Sequence, residues 1–305
     1  MNPLRALAVP VPRVRAILAL CCTWLLASCA FQPVSPGRAD SPQPVTELPD
    51  QFAASYEDQV ADCRAALSAS VSGTRDGIDP GDIRVLNWNV QKKRHDGWRD
   101  DFDRLASESD LVLMQEAYLG GFTESDFADW QHWSFAPGHS MRSGITGVLT
   151  LSHSEPIARC NFSSVEPWLR TPKSTSVTTF ALSGSDEVLA VVNVHALLVS
   201  FGLHDYRLQF ERIADILQDH QGPIIVAGDF NTWHKRRMQV VDELATSLDL
   251  RPVIFDEDTR VRFFGIALDH IYVRQLQLVN AETATVVTSD HNPLLAVLSM
   301  PFAAP

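Results

Sequence analysis

From Ile83 to Met300, short apolar runs recur at close intervals and are broken by polar turns. IRVLNWNV, DLVLMQE, GVLTLS, SVTTFAL, VLAVVNVH, PIIVAG, LDHIYVR and PLLAVLSM have the length and the β-branched content of strands. Several are apolar on both faces, so each needs cover on both sides. Three helices interrupt them. Trp98, Phe102, Leu105 and Ala106 share a face, with Asp96 placed as an N-cap. Tyr206, Phe210, Ile213 and Leu217 form a second stripe that ends before Gly222-Pro223. Met238, Val241, Ala245 and Leu248 form a third. The pattern predicts one α/β (α+β) domain over 83–305. A helix around YEDQVADCRAALSAS and a turn fill 51–82 and pack on it.

The first fifty residues do not fit this pattern. Arg5, Arg13 and Arg15 precede the apolar run AILALCCTWLLAS, and no acid occurs before Asp40. A basic segment before a short apolar one reads as a signal peptide over 1–28, too short for a comfortable membrane span. Its end, Leu-Ala-Ser-Cys, resembles a bacterial lipobox, which implies cleavage before Cys29 and lipidation there. Ala30, rather than Asp, after that cysteine implies the outer membrane by resemblance to enterobacterial lipoproteins. Residues 29–50 are rich in proline and read as an extended tether. The expectation is a protein of the bacterial cell envelope, facing the periplasm, monomeric, and held to the membrane by its lipid alone.

Charge narrows the function. The chain has 25 basic and 37 acidic residues. Removing 1–28 takes away three arginines and gives (25 − 3) − 37 = −15. An acidic surface disfavours broad nucleic-acid affinity and loose adsorption to anionic lipid. Cys63 and Cys160 remain in an oxidising compartment, either as a disulfide or as two buried thiols.

The candidate chemistry lies at strand ends. Asn87 and Asn89 fall on one face of VLNWNV because side chains alternate. DLVLMQE ends in Glu116 and VLAVVNVH in His195. PIIVAG runs into Asp229 and Asn231, Asp269 opens another strand, and Asp290-His291 precedes the last. Carboxylates and amides supply hard oxygen ligands for Mg²⁺ or Mn²⁺. A carboxylate-oriented histidine can move a proton, and amides with a second histidine can stabilise a phosphoryl group.

NWNVQK, MQE, VNVHAL, GDFNTW, LDHIYV and SDHNPL stand in the order found in the endonuclease/exonuclease/phosphatase superfamily, which the chain resembles over about 83–299. That superfamily includes deoxyribonuclease I, abasic-site endonucleases, neutral sphingomyelinases and inositol polyphosphate phosphatases. The resemblance implies a deoxyribonuclease I-like four-layer sandwich: two packed mixed sheets, helices outside, and the site at one edge. It implies Glu116 as principal metal ligand, with Asn89 and Asp290 nearby. It makes His291 the general base, oriented by Asp269, and uses Asp229 and Asn231 to position water and contact phosphate. His195 resembles the histidine that assists the leaving group. Gln91 stands where abasic-site endonucleases carry an acidic ligand, which places the chain outside the repair branch.

Lys92 and Arg236 belong to two cationic clusters expected at the mouth, Lys92–Arg94 and His234–Arg237. These steer anionic substrate, or else Lys235–Arg237 are a solvated first helical turn. Lys173 is a further phosphate contact. The expected activity is divalent-metal-dependent phosphoester hydrolysis of the phosphodiesterase or nuclease kind. The alternatives are a phospholipase C or sphingomyelinase-like enzyme, which would show a long apolar hairpin not found here, a small-molecule phosphatase, and a silent binding lipoprotein. Substrates are nucleic acid, phospholipid headgroups or small phosphoesters.

Overall fold

In the computed structural model, the described residues are 55–68, 77–93, 95–119, 127–141, 144–167 and 169–301. The expected signal peptide, the lipidation site Cys29 and the tether lie outside them. Two six-stranded mixed sheets pack face to face, with helices on both outer surfaces. The first sheet runs β13 (Gln277–Thr283), β14 (Leu294–Ser299), β1 (Ile83–Asn89), β2 (Leu111–Tyr118), β4 (Gly144–Ser152), β3 (His132–Met141). The second runs β5 (Pro156–Val165), β6 (Pro172–Ala181), β7 (Val188–His195), β8 (Ile224–Asp229), β12 (Asp269–Arg274), β9 (Arg251–Pro252). A small hairpin, β10 (Arg262–Phe263) and β11 (Ile266–Ala267), stands apart.

Period-two alternation explains the layers. Ile83 and Val85, Leu111 and Leu113, Leu189 and Val191, Ile225 and Ala227, and Ile271 and Val273 all point between the sheets and form the central core. The opposite face of the first sheet, with Leu86, Trp88, Val112 and Met114, packs on α2 (Trp98–Ala106) through Trp98 and Phe102. The opposite face of the second sheet packs on α1 (Tyr56–Leu67), α3 (His204–Leu217) and α4 (Lys235–Ser247). A disulfide joins Cys63 of α1 to Cys160 of β5, with Cα atoms 5.2 Å apart.

Helix details depart from the sequence reading in two places. Gly97, at φ 84°, caps α2 instead of Asp96, because the chain enters the helix through a left-handed residue. The buried stripe of α4 is Arg237, Val240, Val241 and Leu244, so Met238 is only partly covered. Tyr206, Phe210, Ile213 and Leu217 are buried on α3 as the periodicity requires.

Each inward-facing row changes character along its length. Ile83 and Val85 give way to Asn87 and Asn89; Leu111 and Leu113 to Gln115; Leu189 and Val191 to Asn193 and His195; Ile225 and Ala227 to Asp229. β12 runs antiparallel to β8, so its first residue, Asp269, pairs with Asp229. The sandwich is therefore apolar at one end and polar at the other. All the catalytic candidates on strands arrive at one edge for that reason.

Candidate active site

Below the mouth, an amide layer ties the sheets together. Gln115 donates from Nε2 to Asn87 Oδ1 at 2.9 Å and to Asn193 Oδ1 at 2.8 Å. Asn193 donates to Leu149 O at 3.0 Å. These residues were not singled out from sequence as a network, although Asn87 and Asn193 stand at inward positions of apolar strands.

Above it lies the cluster. Asp269 Oδ2 accepts a 2.7 Å hydrogen bond from His291 Nδ1, and both residues are buried. His291 Nε2 is 4.0 Å from Asp229 Oδ2. Asn89 Nδ2 donates to the same Asp229 oxygen at 3.0 Å. Asn231 donates its backbone N–H to Asp229 Oδ1 at 2.9 Å and its amide to Ala196 O at 2.9 Å. Three outer hydrogen bonds hold the His291 segment in place. Trp88 Nε1 donates to His291 O at 3.1 Å. Ser289 Oγ accepts from His291 N and donates to Asn89 O.

Glu116 reaches the cluster through a bulge. The pairing of β2 with β4 slips between Met114 and Ala117, and Glu116 takes φ 52°. A bulge places two residues opposite one and turns the extra side chain. Gln115 and Glu116 can thus both face inward. Gln91, Lys92 and Asn231 also have positive φ, at 44°, 60° and 49°. Left-handed backbone in residues other than glycine is costly and gathers where function fixes side-chain direction. Gly228 meets a steric demand of its own: a Cβ there would lie 1.9 Å from Val194 O.

Lysines complete the site. Lys92 Nζ pairs with Glu116 Oε2 at 2.5 Å. Lys173 Nζ donates to His195 Nε2 at 2.8 Å and lies 4.0 Å from Glu116 Oε1. His195 Nε2 is 3.6 Å from Asp229 and 4.0 Å from Glu116. Charges tune one another accordingly. Burial works against a charge on Glu116, but Lys92 and Lys173 hold its carboxyl below the ordinary value. Burial pushes Asp229 up to about 6. Burial, reinforced by Lys173, drives His195 well below its usual value, so the ring is neutral and accepts from the lysine. Burial also opposes charge on His291, yet Asp269 and Asp229 overcome it and hold the ring at about 10.

The structure brings together His291, Asp269, Asp229, Asn231, His195, Asn89, Glu116, Lys92 and Lys173. Two expected members stand outside. Asp290 is exposed and acts on the site through its charge beside His291. Arg236 is exposed in the first turn of α4, where its backbone N–H is capped by His234 Nδ1 at 3.1 Å. Arg237 does not steer substrate either. Its buried guanidinium donates to Asn231 O at 3.0 Å and Leu198 O at 3.0 Å, and lies 4.3 Å from the Tyr206 ring centroid. It braces the loop that carries Asn231.

The donor set fits a hard divalent cation. Glu116 and Asp229 both approach the place where the Lys173 ammonium now meets His195. Ligand atoms of Asp229, Asp269 and His291 lie within 4.8 Å of one another. Asp269 Oδ1 is buried without a hydrogen-bond partner among the described residues.

Two six-stranded sheets with a carboxylate–histidine site at one edge define a deoxyribonuclease I-like protein. The model of the Endonuclease/Exonuclease/phosphatase family matches residues 86–291, and the chain belongs to that family. It is 37% identical over 227 residues to a UPF0294 protein of Vibrio campbellii, covering 72% of this chain and 78% of that one. A UPF0294 protein of Klebsiella pneumoniae is 38% identical over 223 residues, covering 71% and 82%. Among solved structures, the endonuclease/exonuclease/phosphatase of Bacteroides vulgatus matches with TM-score 0.58 at 18% identity, over 72% of this chain and 99% of that one. The human Nocturnin catalytic domain with bound sulfate matches at 0.55 and 20% identity, over 74% and 97%. Sphingomyelinase C of Streptomyces griseocarneus matches at 0.52 and 16%, over 71% and 99%. These structural likenesses establish the fold.

Proposed function

We propose that the protein is a divalent-metal-dependent phosphoester hydrolase, of the phosphodiesterase or nuclease kind, anchored in the cell envelope through Cys29. The observation that carries this reading is the convergence of Glu116, Asp229, His291 and Lys173 on one small buried volume. Glu116 and Asn89, with Asp229, are the residues that would hold Mg²⁺ or Mn²⁺. Bound there, the ion would supply positive charge to the phosphoryl oxygens and lower the proton affinity of nearby groups.

The chain's own residues do the rest. Asp269 fixes the His291 ring and leaves Nε2 facing Asp229. The ring is protonated in the metal-free protein, which differs from the general base the sequence suggests: Asp229 is the group free to accept a proton from attacking water, and His291 the one placed to donate. Asn231 and Asn89 hold Asp229 in place through three hydrogen bonds. Lys173 and Lys92 offer ammonium donors to phosphate oxygens. His195 accepts from Lys173 and sets the direction of its remaining donors. Three carboxylates facing two lysines and a protonated histidine leave no large net charge to repel an anionic substrate.

The test is a hydrolysis screen over plasmid DNA, RNA, phospholipid vesicles and a chromogenic phosphodiester, with Mg²⁺, Mn²⁺ or EDTA. Glu116→Gln should lower activity by orders of magnitude and leave the fold intact. Activity that survives both EDTA and Glu116→Gln refutes the metal assignment.

A further inference from the structure

Asp269 opens β12 where its sheet runs out of partners. Carbonyls alternate in direction along an antiparallel strand. Leu268 O accepts from Phe230 N at 2.9 Å on the β8 side, and Ile271 O accepts from Val253 N at 2.8 Å on the β9 side. Asp269 O therefore faces the β9 side. β9 pairs only with Tyr272 and Val273, so among the described residues no strand reaches Asp269 there. A buried carbonyl left unpaired is costly. Arg260 supplies the donor: its Nη1 donates to Asp269 O at 3.1 Å.

The guanidinium is itself fixed. Nε and Nη2 donate to the two carboxylate oxygens of Asp258 at 2.9 and 2.7 Å, and the group lies 5.0 Å from the Phe255 ring centroid. A two-point ion pair fixes direction as well as distance. Hydrogen bonds from Arg260 hold Asp258 down at about 2, against burial, so the pair stays charged at any pH above that. Nη1 also stands 3.5 Å from His270 Nδ1. His270 Nε2 lies 3.0 Å from Ala267 O, which can only accept, so Nε2 carries the ring proton and Nδ1 is the bare nitrogen facing Arg260. The same Nε2 is 2.8 Å from Thr232 Oγ1, next to Asn231. Arg260 is thus linked to the loop that holds Asp229.

The preceding residue grips the other sheet. Thr259 O accepts from Asn292 Nδ2 at 2.6 Å, and Asn292 follows His291. Asn292 Oδ1 in turn accepts from Val286 N at 3.3 Å. Thr259 N donates to Thr283 Oγ1 at 2.9 Å, at the end of β13. Asp269 belongs to the second sheet, and His291 leads into β14 of the first. Thr259 and Arg260, adjacent in the chain, hold one residue beside each.

We propose that Thr259-Arg260 is a clamp across the two sheets, and that Arg260 and Asn292 are positioning residues that set the Asp269–His291 contact. Neither touches the reacting atoms. Arg260 fixes the backbone from which the Asp269 carboxylate extends, and Asn292 fixes the segment from which the His291 ring extends. The 2.7 Å bond between them depends on both placements, because the two side chains come from different sheets. Arg262 is the contrast. It is exposed, pairs with the same Asp258 and donates to Gly265 O at 3.2 Å, and it has no hydrogen bond to Asp269 or His291 among the described residues. The kinetic consequence of the clamp rests on the hydrolase reading; the placement does not.

The test reads the ring protons of His291 and His270 by proton NMR of protein carrying nitrogen-labelled histidine, with His291→Gln and His270→Gln assigning the two signals. In wild type both should lie downfield and exchange slowly, His291 on Nδ1 and His270 on Nε2. Arg260→Gln should move both upfield or lose them to exchange with water. Asn292→Ala, at a half-buried position, should move the His291 signal and leave that of His270. Arg262→Gln removes the same charge beside Asp258 and should leave both in place. On a chromogenic phosphodiester with Mg²⁺, Arg260→Gln and Asn292→Ala should lower kcat about 10–100-fold and change KM less than about twofold, which marks misplaced groups rather than lost substrate contacts. Arg260→Lys, which keeps one donor for Asp269 O, should recover part of the loss. A His291 signal unmoved in both Arg260→Gln and Asn292→Ala would overturn the clamp. So would an equal shift in Arg262→Gln, which would assign the effect to charge. If wild type hydrolyses no phosphoester, the hydrolase reading fails and the ring protons still decide the clamp.

Discussion

Removing the Asp269 carboxylate should change the proton affinity of His291 before it changes anything else. The His291 ring is held at about 10, against 6.5 for a free imidazole. At about 1.36 kcal/mol per unit, that difference is roughly 5 kcal/mol of preference for the charged ring. Burial alone would push the ring the other way, so the preference comes from carboxylates. Asp269 touches Nδ1 at 2.7 Å, while Asp229 stands 4.0 Å from Nε2. Asp269→Asn should therefore bring the imidazole back by about 2 units or more, read by NMR titration of His291 in the metal-free protein. Stability follows with a definite sign. A raised folded value contributes fully below 6.5 and is lost as pH rises through 10. Wild type should lose more stability than Asp269→Asn between pH 7 and 10 in urea unfolding. In turnover, His291→Ala should cost about 10²–10⁴ in kcat. Asp269→Asn should cost less, and the double variant scarcely more than His291→Ala, because residues acting as a unit are non-additive. Fully multiplicative losses, or a His291 ring that still titrates near 10 in the Asp269→Asn variant, would refute the coupling.

Three further outcomes are open to measurement. Gly228→Ala would drive a Cβ into Val194 O, and a cost of about 3 kcal/mol or more in chemical denaturation is expected; a near-neutral result would mean that β7 and β8 can move apart. Cys63→Ser should cost about 2–4 kcal/mol and expose α1 to limited proteolysis, whereas equal protease resistance would show α1 held by packing alone. His270 is buried and held down at about 3, first by burial and then by Arg260. A depressed folded value contributes fully above 6.5 and is lost as pH falls towards 3, so wild type should lose about 2–3 kcal/mol between pH 7 and 4.5 from this ring, and His270→Gln should flatten that slope.

The strands that were legible in the sequence are interior ones, and those that were not are edges. β2, β4, β7 and β8 carry near-continuous apolar runs because both their faces are covered, and β1, β6, β12 and β14, also interior, keep shorter apolar runs among polar residues. β3, β5, β9 and β13 close the two sheets. β3 contains Pro137 and Gly138, β5 mixes Arg159 and Asn161 with its apolar residues, and β13 is largely exposed. An edge strand needs no clean alternation. The site was legible wherever a polar residue ended an apolar run, as at Asn89, His195, Asp229 and Asp269. It was not legible where position depends on the third dimension. Glu116 faces inward only because the ladder slips beside it. Arg236 and Arg237 are neighbours of one type, yet one is solvated and the other buried. Spacing held the signal: Arg237 shares a helical face with Val240, Val241 and Leu244, three, four and seven positions on. The chemistry of the amides at Asn87, Gln115 and Asn193 could be seen singly, but their joining across two sheets could not.

The covalent link between Cys63 and Cys160 also decides where force travels. In the envelope reading, any pull on the domain arrives through the chain before α1. Tension would enter at Ser55, run along α1 to Cys63, and leave through the sulfur bridge to β5 at the edge of the second sheet. The stretch of chain between the two cysteines, which are 97 positions apart, would carry almost none of it. That shielded length contains β1 to β4 and α2, and with them Asn89, Lys92 and Glu116. A tethered protein could thus be tugged without shifting the half of the site that lies on the first sheet. Reduction of the bridge would reroute the load along the backbone into β1, the strand whose end carries Asn89.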